Sequence, residues 1–117
     1  MCGISGIVFR SNFDKKKAVA AVEKMNERQI CRGPDGSGIA ATERAVLGHR
    51  RLSILDLTSA GCQPMNYNGI WISYNGEIYN FKELRRQLEE KGYFFRTKTD
   101  TEVIPALYKE YGDSAFS

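Results

Sequence analysis

Long apolar runs are missing from this sequence. No stretch approaches the roughly 18 residues that a membrane-spanning helix requires. Met1 to Phe9 is apolar, but no charged segment precedes it and Arg10 follows at once, so a secretory signal is not expected. Cysteine is scarce. The three residues, Cys2, Cys31 and Cys62, are an odd number at wide spacing, which excludes both a full disulfide framework and a zinc-ligand pattern. A reducing cytoplasm fits that usage best. Histidine is scarcer still: His49 stands alone, so any Cys–His pair would have to use it. It lies mid-strand beside no acid and is assigned no catalysis. A dominant charge is lacking too. The 17 basic and 14 acidic residues leave a net +3, too weak to argue for nucleic acid or a membrane surface as partner. Internal repeats, linkers and low-complexity segments are absent, and 117 residues make at most one domain with a thin margin of core.

What is present alternates strand and helix signals. Cys2 to Phe9 reads as a buried strand. Asp14 can cap a helix to about Ile30, with Val19, Val22 and Met25 on its buried stripe; Lys15, Lys16 and Lys17 oppose the helix dipole and should fray its first turn. Arg32 to Gly38 is dense in turn residues and reads as a loop. Strands are expected over Ile39–Thr42, Ala45–Leu52 and Gly69–Tyr74, with a loop over Leu57–Pro64. Asn80 and Glu83 suggest a capping box and Tyr79 with Leu84 a hydrophobic staple. Phe81, Leu84 and Leu88 give the helix behind them its buried stripe, which Gly92 ends. Tyr93–Arg96 reads as a short strand. Asp100 is a candidate cap for a last helix toward Tyr111, in which Pro105 removes a hydrogen bond and introduces a kink. Antiparallel sheets with helices packed against them, an α+β fold, are the economical arrangement.

Several residues carry chemical potential, and each has a plain structural reading that wins in isolation. Cys2 can be a buried strand residue. Alternatively, removal of Met1 leaves it with a free α-amino group, whose pKa of ~8 makes a useful neutral fraction at pH 7. One residue then holds both nucleophile and base. Asn75-Gly76 can be a hairpin turn, or an oxyanion hole made of the Asn75 amide and the Gly76 N–H. Arg50 and Arg51 can both be solvated, or one can clamp a carboxylate with two parallel bonds. Asp100 is a helix cap or the partner of an ammonium group. Arg32-Gly33-Pro34-Asp35-Gly36 is a rigid surface loop or one that shapes a site.

In combination the segments Met1-Cys2-Gly3-Ile4-Ser5-Gly6, Arg32-Gly33-Pro34-Asp35, Gly48-His49-Arg50-Arg51-Leu52-Ser53-Ile54, Asn75-Gly76-Glu77-Ile78-Tyr79-Asn80 and Thr99-Asp100-Thr101-Glu102-Val103-Ile104 resemble, in order, the class II glutamine amidotransferases. The Arg-Leu-Ser-Ile and Asn-Gly-Glu-Ile-Tyr-Asn segments look specifically like asparagine synthetase and its close relatives. The resemblance implies an N-terminal-nucleophile hydrolase sandwich of antiparallel sheets with flanking helices, incomplete at the C-terminus. Residues 1–117 would be the N-terminal part of an amidotransferase domain whose synthetase domain is absent. It implies that Cys2 attacks glutamine, that Asn75 and Gly76 hold the oxyanion, and that Arg51 binds the α-carboxylate. Glu77 and Asp100 would bind the α-ammonium, while Leu52 and Ile54 line the pocket. No cofactor or metal is expected in this chain; ATP and magnesium belong to the missing domain. Partners would be glutamine, that synthetase domain, and a second copy of the parent in a homodimer. Two departures from the pattern are Cys31 where a histidine is frequent, which is no catalytic position, and Pro105 in place of an aliphatic residue, which bears on the pose of Asp100. Alternative readings are a glutaminase serving another amination, or a non-catalytic remnant acting as an interaction or regulatory module.

Overall fold

A computed structural model describes residues 1–53 and 59–117. Its elements are β1 (Gly3–Val8), α1 (Lys15–Arg28), β2 (Gly36–Ala41), β3 (Ala45–Arg51), β4 (Met65–Tyr67), β5 (Ile70–Ile72), α2 (Phe81–Glu90) and α3 (Val103–Tyr111). The fold is α+β, as expected. Strands β1, β3 and β2 form an antiparallel sheet with β3 in the centre, and β4 pairs with β5. The register sets Gly3 opposite Arg50 and Gly36 opposite Arg51, so the N-terminus lies beside the end of β3.

Helix α1 covers one face of the larger sheet. Ala18, Val22 and Val46 are buried at that contact, with Ile7, Phe13, Val19 and Ile39 around them. Full burial of an aliphatic side chain of this size stabilises by roughly 1.5–3 kcal/mol. The approach is close: a Cβ on Gly48 would fall on Ser5, Val22 and Asn26. Asn26 fastens the helix to both outer strands. Its Oδ1 accepts from Ser5 Oγ at 2.9 Å, and its Nδ2 donates to the Gly38 carbonyl at 3.0 Å. The helix stripe is therefore Ala18, Val22 and Asn26; Met25 lies largely at the surface. The Asp14 cap is present, its carboxylate accepting from the Lys17 N–H.

A second core gathers Tyr67, Leu88, Phe95, Val103 and Ala106 between the β4–β5 hairpin and helices α2 and α3. The stripe expected on α2 is the one buried here. Gly92, at φ +95°, stops α2: its N–H reaches the Glu89 carbonyl while the Tyr93 N–H reaches that of Leu88.

Several expectations are corrected. Strand β2 starts at Gly36, inside the presumed loop, because Gly38 can lie flat against the Gln63 carbonyl, where any side chain would collide. Strand β4 is an addition to the expected elements. Asn80 makes no side-chain cap, since its backbone is not extended as a cap requires. Tyr79 is 91% exposed and staples nothing. The 93–96 segment is no strand: the Tyr93 N–H is taken by the Leu88 carbonyl, and the buried Glu102 carboxylate takes those of Arg96 and, just beyond, Thr97 at 2.9 and 2.8 Å. Pro105 is the third residue of α3, where an N–H has no intrahelical partner, so no hydrogen bond is lost. Asp100 precedes the helix without capping it; its carboxylate is used elsewhere.

Candidate active site

The end of β3 faces the segment that precedes β4, the segment that follows β5 and the one that leads into α3. A cleft opens there, lined by Cys2, Arg51, Leu52, Gly76, Glu77 and Asp100 together with Gly61, Gln63, Tyr74, Thr99 and Thr101. Its empty space, counting the solvent-open mouth, is about 480 Å³. Six of the eight sequence candidates thus converge from four distant segments. Asn75 is half-buried beside Gly76 but is not among the lining residues. Ile54 lies outside the described residues.

Cys2 is held by the backbone of Leu52. The Leu52 N–H donates to Sγ at 3.3 Å, and Sγ lies 3.6 Å from the Leu52 carbonyl. The amide can stabilise a thiolate and the carbonyl can accept a thiol proton, so the sulfur has a partner in either state. Leu52 is fixed in turn by the Arg-Gly-Pro-Asp loop. The Asp35 N–H donates to the Arg51 carbonyl, and the Asp35 carboxylate accepts from the Ser53 N–H, both at 2.9 Å. This loop therefore shapes the site; sequence alone left that open.

Arg51 supplies the cationic wall of the cleft. Gly61 packs against it so closely that a Cβ there would lie 2.6 Å from Nη2. Arg50 points to the other side of the sheet. It is half-buried and its Nε donates to the Gly33 carbonyl at 2.8 Å, so the solvated reading of this residue is corrected. The anionic wall is formed by Glu77 and Asp100. Asp100 is 6% exposed, and its Oδ2 accepts from the Ile78 N–H at 2.7 Å, which ties the loop after β5 to the entry of α3. Tyr74 lines the same cleft. Burial, with the carboxylates of Asp100 and Glu77, pushes its hydroxyl pKa up and keeps it protonated.

His49 sits behind the cleft. Its Nδ1 lies 3.0 Å from Ser73 Oγ, and that hydroxyl donates to the Gly48 carbonyl at 3.0 Å. Nδ1 must then carry the proton, leaving Nε2 as a buried acceptor with no partner among the described residues. Burial, aided by the Arg51 charge, lowers the ring pKa to about 4. It is a neutral core histidine. Among the described residues no cluster of histidine, cysteine and acidic side chains could hold a metal, and no helix is long and apolar enough to cross a membrane.

Sequence reasoning missed Gly61, Gln63, Tyr74, Thr99 and Thr101. The last three adjoin Asn75 and Asp100, so the neighbours of a motif were the available signal. Gly61 and Gln63 lie in a stretch that reads only as loop and gives none.

A cysteine beside the N-terminus shares this cleft with an arginine and two carboxylates, groups that could hold the two charges of a small zwitterion. The chain belongs to the glutamine amidotransferase domain family, whose model matches residues 1–117. Among similar proteins, asparagine synthetase (glutamine-hydrolyzing) 1 of Bacillus subtilis is 42% identical over 100% of this chain and 19% of its own length. Asparagine synthetase (glutamine-hydrolyzing) of Sandersonia aurantiaca is 44% identical over 97% of this chain and 21% of its own length. Asparagine synthetase (glutamine-hydrolyzing) 1 of Arabidopsis thaliana is 42% identical over 96% and 19%. The chain thus spans about a fifth of the length of the curated relatives it matches.

Proposed function

We propose that this chain hydrolyses glutamine to glutamate and ammonia through a thioester on Cys2, and that the ammonia feeds ATP-dependent asparagine synthesis in the remainder of a longer parent. The observation that carries the reading is the convergence of Cys2, Arg51, Glu77 and Asp100 on one cleft. Glutamine is a small zwitterion whose only charged handles are its α-carboxylate and α-ammonium. Arg51 offers the planar fork that matches the first, and Asp100 with Glu77 offers oxygen to the second. With those handles held, the side-chain amide extends toward Cys2.

Met1 is 71% exposed and open to removal, which frees the Cys2 amine. That amine takes the thiol proton as sulfur bonds to the amide carbon. The amide oxygen becomes an oxyanion, and Asn75 with the Gly76 N–H stabilises it. Collapse of the adduct breaks the C–N bond, the amine returns the proton to the leaving nitrogen, and ammonia departs. Water then cleaves the γ-glutamyl thioester, giving glutamate and the free thiol. ATP and magnesium act in the synthetase part, which is also where the acceptor binds.

Residues 1–117 are read as the N-terminal part of an N-terminal-nucleophile sandwich. Supporting this, apolar side chains stand exposed on the face of the larger sheet opposite α1: Ile4 is 50% and Val8 77% exposed, with Trp71 at 42% nearby. Apolar surface of that kind is covered in a stable protein. Three free cysteines, two of them exposed, suit a reducing cytoplasm.

The test compares the full-length parent with and without an N-terminal extension that cannot be removed. The extension is expected to abolish glutamine hydrolysis and spare any synthesis from free ammonia. Equal glutaminase activity in both forms would remove the N-terminal amine from the mechanism.

A further inference from the structure

Gln63 lies in the cleft, yet no motif and no step of the proposed reaction uses it. Its side-chain amide makes two hydrogen bonds. Oε1 accepts from the Tyr74 N–H at 2.6 Å, and Nε2 donates to Thr101 Oγ1 at 3.2 Å. Tyr74 is the residue before Asn75; Thr101 is the residue after Asp100. The Asp100 carboxylate, for its part, holds the Ile78 N–H. The 74–78 loop is therefore clasped at both ends, at Tyr74 by Gln63 and at Ile78 by Asp100, and Gln63 closes the ring through Thr101. The clasp is also anchored to the larger sheet, because the Gln63 carbonyl packs on Gly38 of β2 so tightly that no Cβ fits between them. That sheet carries Arg51, and its first strand follows directly on Cys2.

We propose that Gln63 is a positioning residue of the glutaminase site, setting the oxyanion turn and the ammonium ligand against Cys2 with one amide. The role rests on the glutaminase reading. The 74–78 loop belongs to neither sheet nor helix, so its distance from Cys2 depends on the clasp. A displacement of about 1 Å between reacting groups can cost about 10²-fold in rate. Glutamine suits the position because it both accepts from a backbone N–H and donates to a hydroxyl, and it places no charge between Arg51 and Asp100.

The experiment uses the full-length parent and counts active sites by alkylation of Cys2 with a diazoketone analogue of glutamine, read by mass spectrometry. Gln63→Met, similar in length but unable to make either bond, is expected to retain the wild-type fraction of alkylated Cys2. Its kcat per titrated site should fall about 10- to 100-fold. Thr101→Val, which cuts only the Asp100 arm, should raise KM about three- to tenfold with kcat nearly kept, and Thr101→Ser should stay within about twofold of wild type. A purely structural role predicts fewer titratable sites with kcat per site unchanged, and that result overturns the proposal. If Gln63→Met fails to fold, Thr101→Val decides, and unchanged KM in it overturns the clasp. A wild-type parent that neither hydrolyses glutamine nor alkylates at Cys2 overturns the glutaminase reading, and this role with it. A wild type that does both, beside an undiminished Gln63→Met, overturns the role of Gln63 alone.

Discussion

Two Asn-Gly pairs lie close together in this chain, Asn68-Gly69 and Asn75-Gly76, and they do different things. The first is a two-residue hairpin loop between β4 and β5, flanked by the Tyr67–Ile70 pair. Asn68 at φ +47° and Gly69 at φ +90° supply the left-handed backbone that a tight hairpin requires. Among the described residues nothing lies within 4 Å of where a Gly69 Cβ would point. The second pair joins a strand to helix α2 and has no left-handed residue. Its glycine is hemmed in: a Cβ on Gly76 would lie 2.5 Å from the Tyr74 hydroxyl oxygen. One glycine is needed for its torsion angle and the other for the space it leaves. The dipeptide is identical, so the difference resides in the element on its C-terminal side: a short strand able to pair backwards, or a helix.

The comparison predicts that changes at the first pair cost stability and changes at the second cost turnover. The largest effect is expected for Asn75→Ala. Loss of one oxyanion donor should lower kcat for glutamine about 10²–10³-fold with little change in KM. Asn68→Ala should leave turnover per folded molecule intact and cost roughly 1–2 kcal/mol in denaturant unfolding, the strain of alanine in a left-handed conformation. An Asn75→Ala effect confined to KM would make that residue a ground-state binder.

Arg50 and Arg51 give the same contrast on two faces of β3. Arg51→Lys, unable to make the second parallel bond, should lower kcat/KM for glutamine about 10- to 100-fold, measured by initial rates in the full-length parent. Arg50→Ala should instead reduce stability by roughly 1–2 kcal/mol through loss of its bond to Gly33. The reverse result would move the carboxylate ligand by one residue.

A smaller divergence separates the two glycines. Gly76→Ala should reduce kcat/KM at least about tenfold by displacing the Tyr74 ring, while Gly69→Ala should show only the roughly 1–2 kcal/mol of torsional strain. Paired rate and melting measurements distinguish them.

The weakest effect concerns the pin between the two pairs, His49 with Ser73. The His49 ring is held at about 4, below the usual 6.5, so the unfolded chain binds the proton more readily. Stability from this residue is fully present above pH 6.5 and is lost as pH falls toward 4. At pH 5.5 the loss should be roughly 1.4 kcal/mol, and His49→Gln should remove that part of the pH dependence of unfolding. Identical pH profiles for the two would mean that His49 titrates normally.

The helices and long strands were legible because periodicity, the Asp14 cap and the Gly92 stop are local signals. The candidate cleft was legible through motif resemblance: Cys2, Arg51, Leu52, Gly76, Glu77 and Asp100 all line it, although no local physics relates them. What escaped was decided by contacts distant in sequence. Strand β4 is too short to show alternation, and its hairpin turn at Asn68-Gly69 merges with the start of the longer strand expected from Gly69. The 93–96 segment surrenders the N–H groups at its two ends, Tyr93 to the Leu88 carbonyl and Arg96 to Glu102. Asp100 has a cap's composition and spends its carboxylate on Ile78. Gln63 carries no pattern, since both its partners lie in other segments.

The central claim is that Cys2 becomes acylated by glutamine. The direct measurement mixes the mature full-length parent with saturating glutamine, quenches in acid on the millisecond scale and determines intact and peptide masses. A transient increase of one γ-glutamyl group is expected, mapped to Cys2 and absent in Cys2→Ala. Glutamate formation at the wild-type rate with no acylated Cys2 at any time point, or undiminished in Cys2→Ala, would contradict it.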